Sequence, residues 1–182
     1  MRQRRWLRFE ATLIAFATSV LRSIVLAHSA SDAYLTLMVE NPAAHDGVAR
    51  TVVHGQWDIA LRDLDFVLKL DDDGDGRIVW GELRRHQTAV ADYAYANVLF
   101  TGDGAACRIE PIRQAVDYHA DGAYAALFFD IVCSGATKHL ALDYRLFFKV
   151  DPSHRGILVL RSGDKVATAV LAPANANIGL DL

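Results

Sequence analysis

The chain reads as mainly β, an antiparallel β-sandwich with a helical pair inserted between its second and third strands. Three observations carry that reading. Period-two alternation recurs in short segments separated by turn residues. A central stretch switches to helical spacing on both sides of an acidic loop. The two cysteines fall where a hairpin would place them opposite each other.

The first thirty residues read as an address rather than as part of the sandwich. Residues 1–8 form a basic region, residues 11–21 an apolar stretch, and Val25-Leu26-Ala27 suits a signal peptidase. Cleavage would make His28 the new N-terminus, so residues 1–27 are expected to be a signal peptide and residues 28–182 one domain. The alternative is an uncleaved N-terminal tether, although this segment contains Arg22 and is short for a bilayer that needs about 20 apolar residues. Either way the expected location is exported, periplasmic or extracellular.

Charge supports the division. Arg2, Arg4, Arg5, Arg8 and Arg22 face Glu10 alone in residues 1–27. The rest of the chain holds 14 basic and 21 acidic side chains, a net of −7 against −3 for the whole. An acidic body argues against nucleic acid as a partner, because phosphate binding needs a basic face.

The strands follow in order. Residues 33–40 put Leu35, Leu37 and Val39 on one face, and residues 49–61 do the same with Thr51, Val53, Trp57, Ile59 and Leu61. Residues 107–118 and 123–133 flank an Asp121-Gly122 turn signal. Cys107 and Cys133 are equidistant from a turn centred near 120, so a cross-strand disulfide is expected. Zinc ligation is the rival, but there is no CxxC spacing to start it; two free thiols are the other alternative. Residues 139–150 alternate most cleanly, with Leu140, Leu142, Tyr144, Leu146, Phe148 and Val150 on one face and Asp143, Arg145 and Lys149 on the other. Residues 156–161 and 165–172 form a last hairpin, and only 173–182 looks loose. About seven short strands with regular turns fit an Ig-like sandwich.

The inserted segment, about 61–100, carries the chemistry. Residues 71–82 read DDDGDGRIVWGE. Asp71, Asp73 and Asp75 hold alternate positions, Gly76 supplies a sharp turn, Arg77 offers its main-chain carbonyl, and Glu82 closes the twelve-residue run. This resembles the EF-hand calcium loop at every defining position. Ca²⁺ takes six to eight hard oxygens at about 2.3–2.6 Å, so three carboxylates on one side and a bidentate glutamate on the other suit it. Val79 has no side-chain oxygen, so water would fill that vertex. Leu61, Leu64, Val67 and Leu68 mark a helix before the loop. Leu83, Val90, Ala94 and Val98 mark one after it, running to about Phe100. Asp72 has no ligand role in the resemblance and is expected to point to solvent. The sequence has no second such loop, since 101–104 and 117–122 lack the spacing. A lone hand implies a structural or weak extracellular site, with affinity around 10⁻⁴–10⁻³ M.

A second resemblance spans most of the region after the signal. AHSASDAYLTL, GQWDIALRDLDFVLKLDDDGDGRIVWGEL and DPSHRG look like the extracytoplasmic N-terminal region of HupE/UreJ-type membrane proteins. Those are hydrogenase- and urease-accessory proteins associated with nickel or related metal uptake. The resemblance implies a periplasmic accessory partner of such a membrane protein, and no transport role attaches to any residue here.

The seven histidines (His28, His45, His54, His86, His119, His139, His154) contain no HxH or HExxH spacing. His28, as an N-terminus, would offer an amine and an imidazole to copper or nickel. There is no GxSxG elbow, P-loop or dinucleotide fingerprint, so no enzymatic activity is expected. His154 near Asp151 reads as a strand-connecting turn.

Overall fold

The computed structural model describes residues 31–39 and 50–182. The signal segment, His28, His45 and the expected strand limits Glu40 and Ala49 lie outside those residues. The elements are β1 (Asp32–Val39), β2 (Arg50–Ala60), α1 (Leu61–Leu68), α2 (Trp80–Arg85), α3 (Gln87–Ala96), β3 (Val98–Gly102), β4 (Ala105–Ala106), β5 (Arg108–His119), β6 (Gly122–Ser134), β7 (His139–Tyr144), β8 (Arg155–Ser162), β9 (Lys165–Leu171) and β10 (Asn177–Asp181). They make one six-stranded sheet, in the order β5-β6-β2-β1-β8-β9, and one four-stranded sheet, β10-β7-β3-β4. The protein is therefore mostly β, with two sheets and few helices.

Alternation builds the larger sheet as expected. Leu35 sits opposite Trp57 on β2 and Leu158 on β8, and Trp57 sits opposite Leu127 on β6. All four are buried. From the smaller sheet, Phe100, Leu140, Leu142 and Tyr144 join the same core. Trp57 and Tyr144 meet at 5.6 Å between ring centroids, and Phe100 reaches Phe129 at 6.3 Å. Such aromatic pairs add roughly 0.5–1.5 kcal/mol beyond area burial. Gly55 makes room for this packing, since a Cβ there would lie 2.5 Å from the Phe129 ring.

Four expectations need correction. The larger sheet is not wholly antiparallel, because β1 pairs with β8 in parallel. Residues 98–100 are strand rather than helix: Asn97 ends α3 with its N–H on the Ala94 carbonyl, and β3 then pairs with β7. Val98 is buried under either assignment, so periodicity alone did not separate them. The tail is not loose, for Leu180 of β10 is buried opposite Leu140. Finally, β7 stops at Tyr144. Phe147 takes a left-handed backbone (φ 58°), so Leu146 and Phe147 are both buried while Val150 is exposed.

The helices place the acidic loop. α1 begins directly at the end of β2 and buries Leu61 and Leu64. It ends at Lys69, whose left-handed backbone (φ 56°) lets its N–H donate to the Asp65 carbonyl at 2.9 Å. Asp65 Oδ1 then accepts the N–H groups of Leu70 (2.7 Å) and Asp71 (3.0 Å), steering the chain into the loop. Leu70 and Leu83 are buried at its two ends, and Val90 and Ala94 of α3 complete the apolar seat.

Candidate metal centre

The loop draws its carboxylates inward. Oxygen atoms of Asp71, Asp73 and Glu82 lie within 4.8 Å of one another. Two glycines make the turn: Gly74 (φ 74°) and Gly76 (φ 80°) adopt a backbone that side-chain-bearing residues resist, while a Cβ at either would meet only open space. The requirement is therefore conformational, not steric. The turn aims main-chain N–H groups at Asp71, whose Oδ1 accepts from Gly74 (2.8 Å) and Asp75 (3.2 Å) and whose Oδ2 accepts from Gly76 (2.8 Å). These bonds, that from Gly76 foremost, hold the Asp71 carboxyl below the ordinary carboxylate range. Asp73 Oδ1 accepts the Asp75 N–H at 3.1 Å.

Glu82 closes the loop from the third position of α2. It is 3% exposed, yet both its oxygens are satisfied: Oε1 accepts the Asp72 N–H and Oε2 the Val79 N–H, each at 2.9 Å. The second bond is the reaching-back half of a capping arrangement, which Val79 cannot return because it has no side-chain acceptor.

Two expected ligands stand outside the cluster. Asp75 is exposed, and its Oδ1 accepts the Arg77 N–H at 2.8 Å. Arg77 is also exposed, and the role expected of it belongs to its carbonyl. Asp72 is exposed as expected, but it is also held: it accepts from Arg85 Nε (2.8 Å) and pairs with His86 Nε2 (2.8 Å). Both partners, His86 more than Arg85, hold its carboxyl below the usual range. Thirteen or fourteen residues separate these groups, so helical or strand spacing could not reveal the clamp.

Beside the loop lies a cleft of about 530 Å³, lined by Ile78, Val79, Trp80 and Leu83 and by Val116 and Tyr118 of the β5–β6 hairpin. Trp80 stands at its edge, 48% exposed. The hairpin itself is bridged by a Cys107–Cys133 disulfide with a Cα separation of 4.4 Å, and no free cysteine remains. Such a bond indicates an oxidising, exported environment.

His154 does lie in a turn, with its N–H on the Asp151 carbonyl at 3.1 Å, but its side chain is fully buried. Ser31 Oγ donates to Asp63 Oδ2 (2.9 Å), which leaves His154 Nδ1 to donate to Ser31 Oγ (2.7 Å). Nε2 then accepts from the Tyr144 hydroxyl at 2.8 Å. Burial keeps this imidazole neutral, lowering its pKa to about 4. It is a structural pin between β1 and the β7–β8 connection.

No protein-family model and no curated protein matches this chain. Among the described residues, no helix is long and apolar enough to cross a membrane.

Proposed function

We propose that the protein is an exported calcium-binding module with a single EF-hand set into an Ig-like β-sandwich. Ca²⁺ would be held by Asp71, Asp73, Asp75, the Arg77 main-chain carbonyl and Glu82, and the ion is structural within a binding or accessory domain. The observation that carries this reading is the convergence of Asp71, Asp73 and Glu82 oxygens within 4.8 Å from the two sides of a glycine-turned loop. Carboxylates gathered so closely repel one another, and a divalent cation relieves that repulsion at once. The donors are all hard oxygens, which suits calcium. Mg²⁺ demands near-ideal octahedral geometry and sheds water reluctantly.

Bound calcium supplies a charge centre that ties α2 to the loop. Asp65, Leu70 and Leu83 hold the loop against the core, and Gly74 and Gly76 set its turn. Calorimetric titration of the protein with Ca²⁺ tests the reading. One bound ion per chain supports it, and no heat at about 10 mM calcium refutes it. A second reading, an accessory partner of a HupE/UreJ-type membrane protein, rests on the resemblance of the stretches around β1, the loop and DPSHRG to such proteins. The disulfide supports it, since such bonds form and persist in oxidising compartments. Co-purification with such a membrane protein is its test.

A further inference from the structure

The outer face of the larger sheet carries a second group of metal-ligating side chains, from β2 and from the end of β5. Donor atoms of Asp58, Asp117 and His119 lie within 4.8 Å of one another. Asp117 and His119 are two apart on one strand and so project from the same face. β6 runs between β5 and β2, and there Ala126 stands opposite both Asp58 and Ala115. These small residues let the side chains converge across the intervening strand.

The distance between His119 and Asp58 sets this group apart. Three other imidazole–aspartate pairs close to hydrogen-bond length: His54–Asp130 at 2.6 Å, His139–Asp181 at 2.7 Å and His86–Asp72 at 2.8 Å. His119 Nε2 stays 3.3 Å from Asp58 Oδ2. That is long for a charge-assisted hydrogen bond. It matches the separation of two ligands on a tetrahedral ion with bonds of about 2.0–2.1 Å, which comes to roughly 3.3 Å.

The surroundings hold the donors rather than neutralise them. His119 lies against Tyr34 (4.8 Å between centroids, stacked) and Tyr124 (4.2 Å), which fix its ring. Gln56 Nε2 donates to both oxygens of Asp58, at 2.9 and 3.2 Å, and the Tyr118 N–H donates to Asp117 Oδ1 at 2.8 Å. Such outer contacts orient metal ligands. Asp58 is only 6% exposed, and its sole ion pair among the described residues is the long one to His119. A buried carboxylate facing a second carboxylate calls for a cation. An imidazole nitrogen among the donors selects a borderline transition ion over calcium.

We propose that Asp58, Asp117 and His119 bind one divalent transition-metal ion of the Zn²⁺ type, with the fourth position open on the Asp117 side. Three protein ligands and an open vertex leave room for water or an exchangeable group. The test is calorimetric titration of the untagged protein with Zn²⁺ in excess Ca²⁺, with Co²⁺ as the spectroscopic probe. The expected result is one Zn²⁺ per chain that calcium does not displace. His119→Gln and Asp117→Asn should each weaken it by at least about tenfold, and His119→Gln should change the visible Co²⁺ spectrum. Both positions are partly exposed, so both variants should keep the wild-type circular dichroism and calcium titration. Asp58→Asn is avoided because that side chain is buried. His139→Ala should bind Zn²⁺ as wild type does. The proposal is overturned by no binding at about 100 µM Zn²⁺, by equal loss in His139→Ala, or by binding that Glu82→Gln abolishes and His119→Gln leaves intact. The last result would place the ion in the acidic loop.

Discussion

Glu82→Gln separates the two jobs that Glu82 does. Its two oxygens accept N–H groups from Asp72 and Val79, and it would also close the calcium loop. A glutamine has one acceptor, so its amide nitrogen must face one of those donors. At 3% exposure water cannot substitute, and an unsatisfied buried donor costs about 1–3 kcal/mol. For a domain of this size that corresponds to a melting temperature lowered by about 2–12 °C. With calcium at 100 times the wild-type dissociation constant, linkage adds about 2.7 kcal/mol to the wild type. If the lost charge weakens binding about 100-fold, the same calcium stabilises the variant by only ~0.4 kcal/mol. Asp72→Asn is the control. Its carboxylate is engaged by Arg85 and His86 and lies outside the ligand cluster, so its calcium-induced rise should stay close to wild type. The assay is a thermal melt of all three proteins with and without calcium, joined to calorimetry. An equal calcium-induced rise in Glu82→Gln and wild type, or equal losses in the two variants, would show that the loop is an acidic turn and nothing more.

The other predictions concern separate parts of the fold. Replacing Cys107 and Cys133 by alanine opens a bridge spanning 26 residues and should cost about 3.5 kcal/mol by loop-closure entropy, read from denaturant melts, with calcium affinity unchanged. His154 is held neutral with its pKa lowered to about 4, whereas the unfolded chain protonates near 6.5. Its contribution is therefore complete above pH 6.5 and is lost as pH falls toward 4, on the order of 3 kcal/mol across that window. His154→Gln should flatten that slope in urea melts taken between pH 4 and 7, and an unchanged slope would refute the assignment. Trp80 is half-exposed beside the loop and Trp57 fully buried, so calcium should change the emission of Trp80 only. Trp80→Phe should abolish the change.

What the sequence made legible depended on whether a signal was local. β1 and β2 followed from alternation and β5 and β6 from the Asp121-Gly122 turn signal between them, and the disulfide followed because the hairpin register ties 107 to 133 through a turn of known position. The loop was legible because its geometry is encoded in twelve consecutive residues. Three things were not. The parallel pairing of β1 with β8 joins segments more than a hundred residues apart, and alternation carries no strand direction. β10 does alternate, with Ile178, Leu180 and Leu182 against Asn177, Gly179 and Asp181, but a five-residue run interrupted by a glycine and preceded by Pro173 and small residues reads as a loose end. Phe147 breaks the clearest alternation in the chain by a backbone angle that phenylalanine seldom adopts. The Asp72 clamp, the His154 pin and the Asp58–Asp117–His119 group failed for the same reason as β1–β8, being made by side chains far apart in the chain.

These long-range contacts bear on how the proposed lone calcium loop would work. EF-hands commonly pair, each loop bracing the other. Here other parts of the domain take over the bracing. Leu70 and Leu83 are buried at the two ends of the loop, and Asp65 receives the incoming chain through two N–H groups. Asp72 ties the loop to Arg85 and His86, and Ile78 lines a cleft with Val116 and Tyr118. Asp71 and Glu82 are already turned inward by five N–H donors between them. A loop braced in this way gives up little conformational entropy when an ion arrives. Nor does it need to swing a helix to complete the site, because Glu82 already faces Asp71 and Asp73. Calcium at such a site would therefore stiffen a shape braced by the rest of the domain, as a structural ion does, rather than expose a new surface as a sensor does.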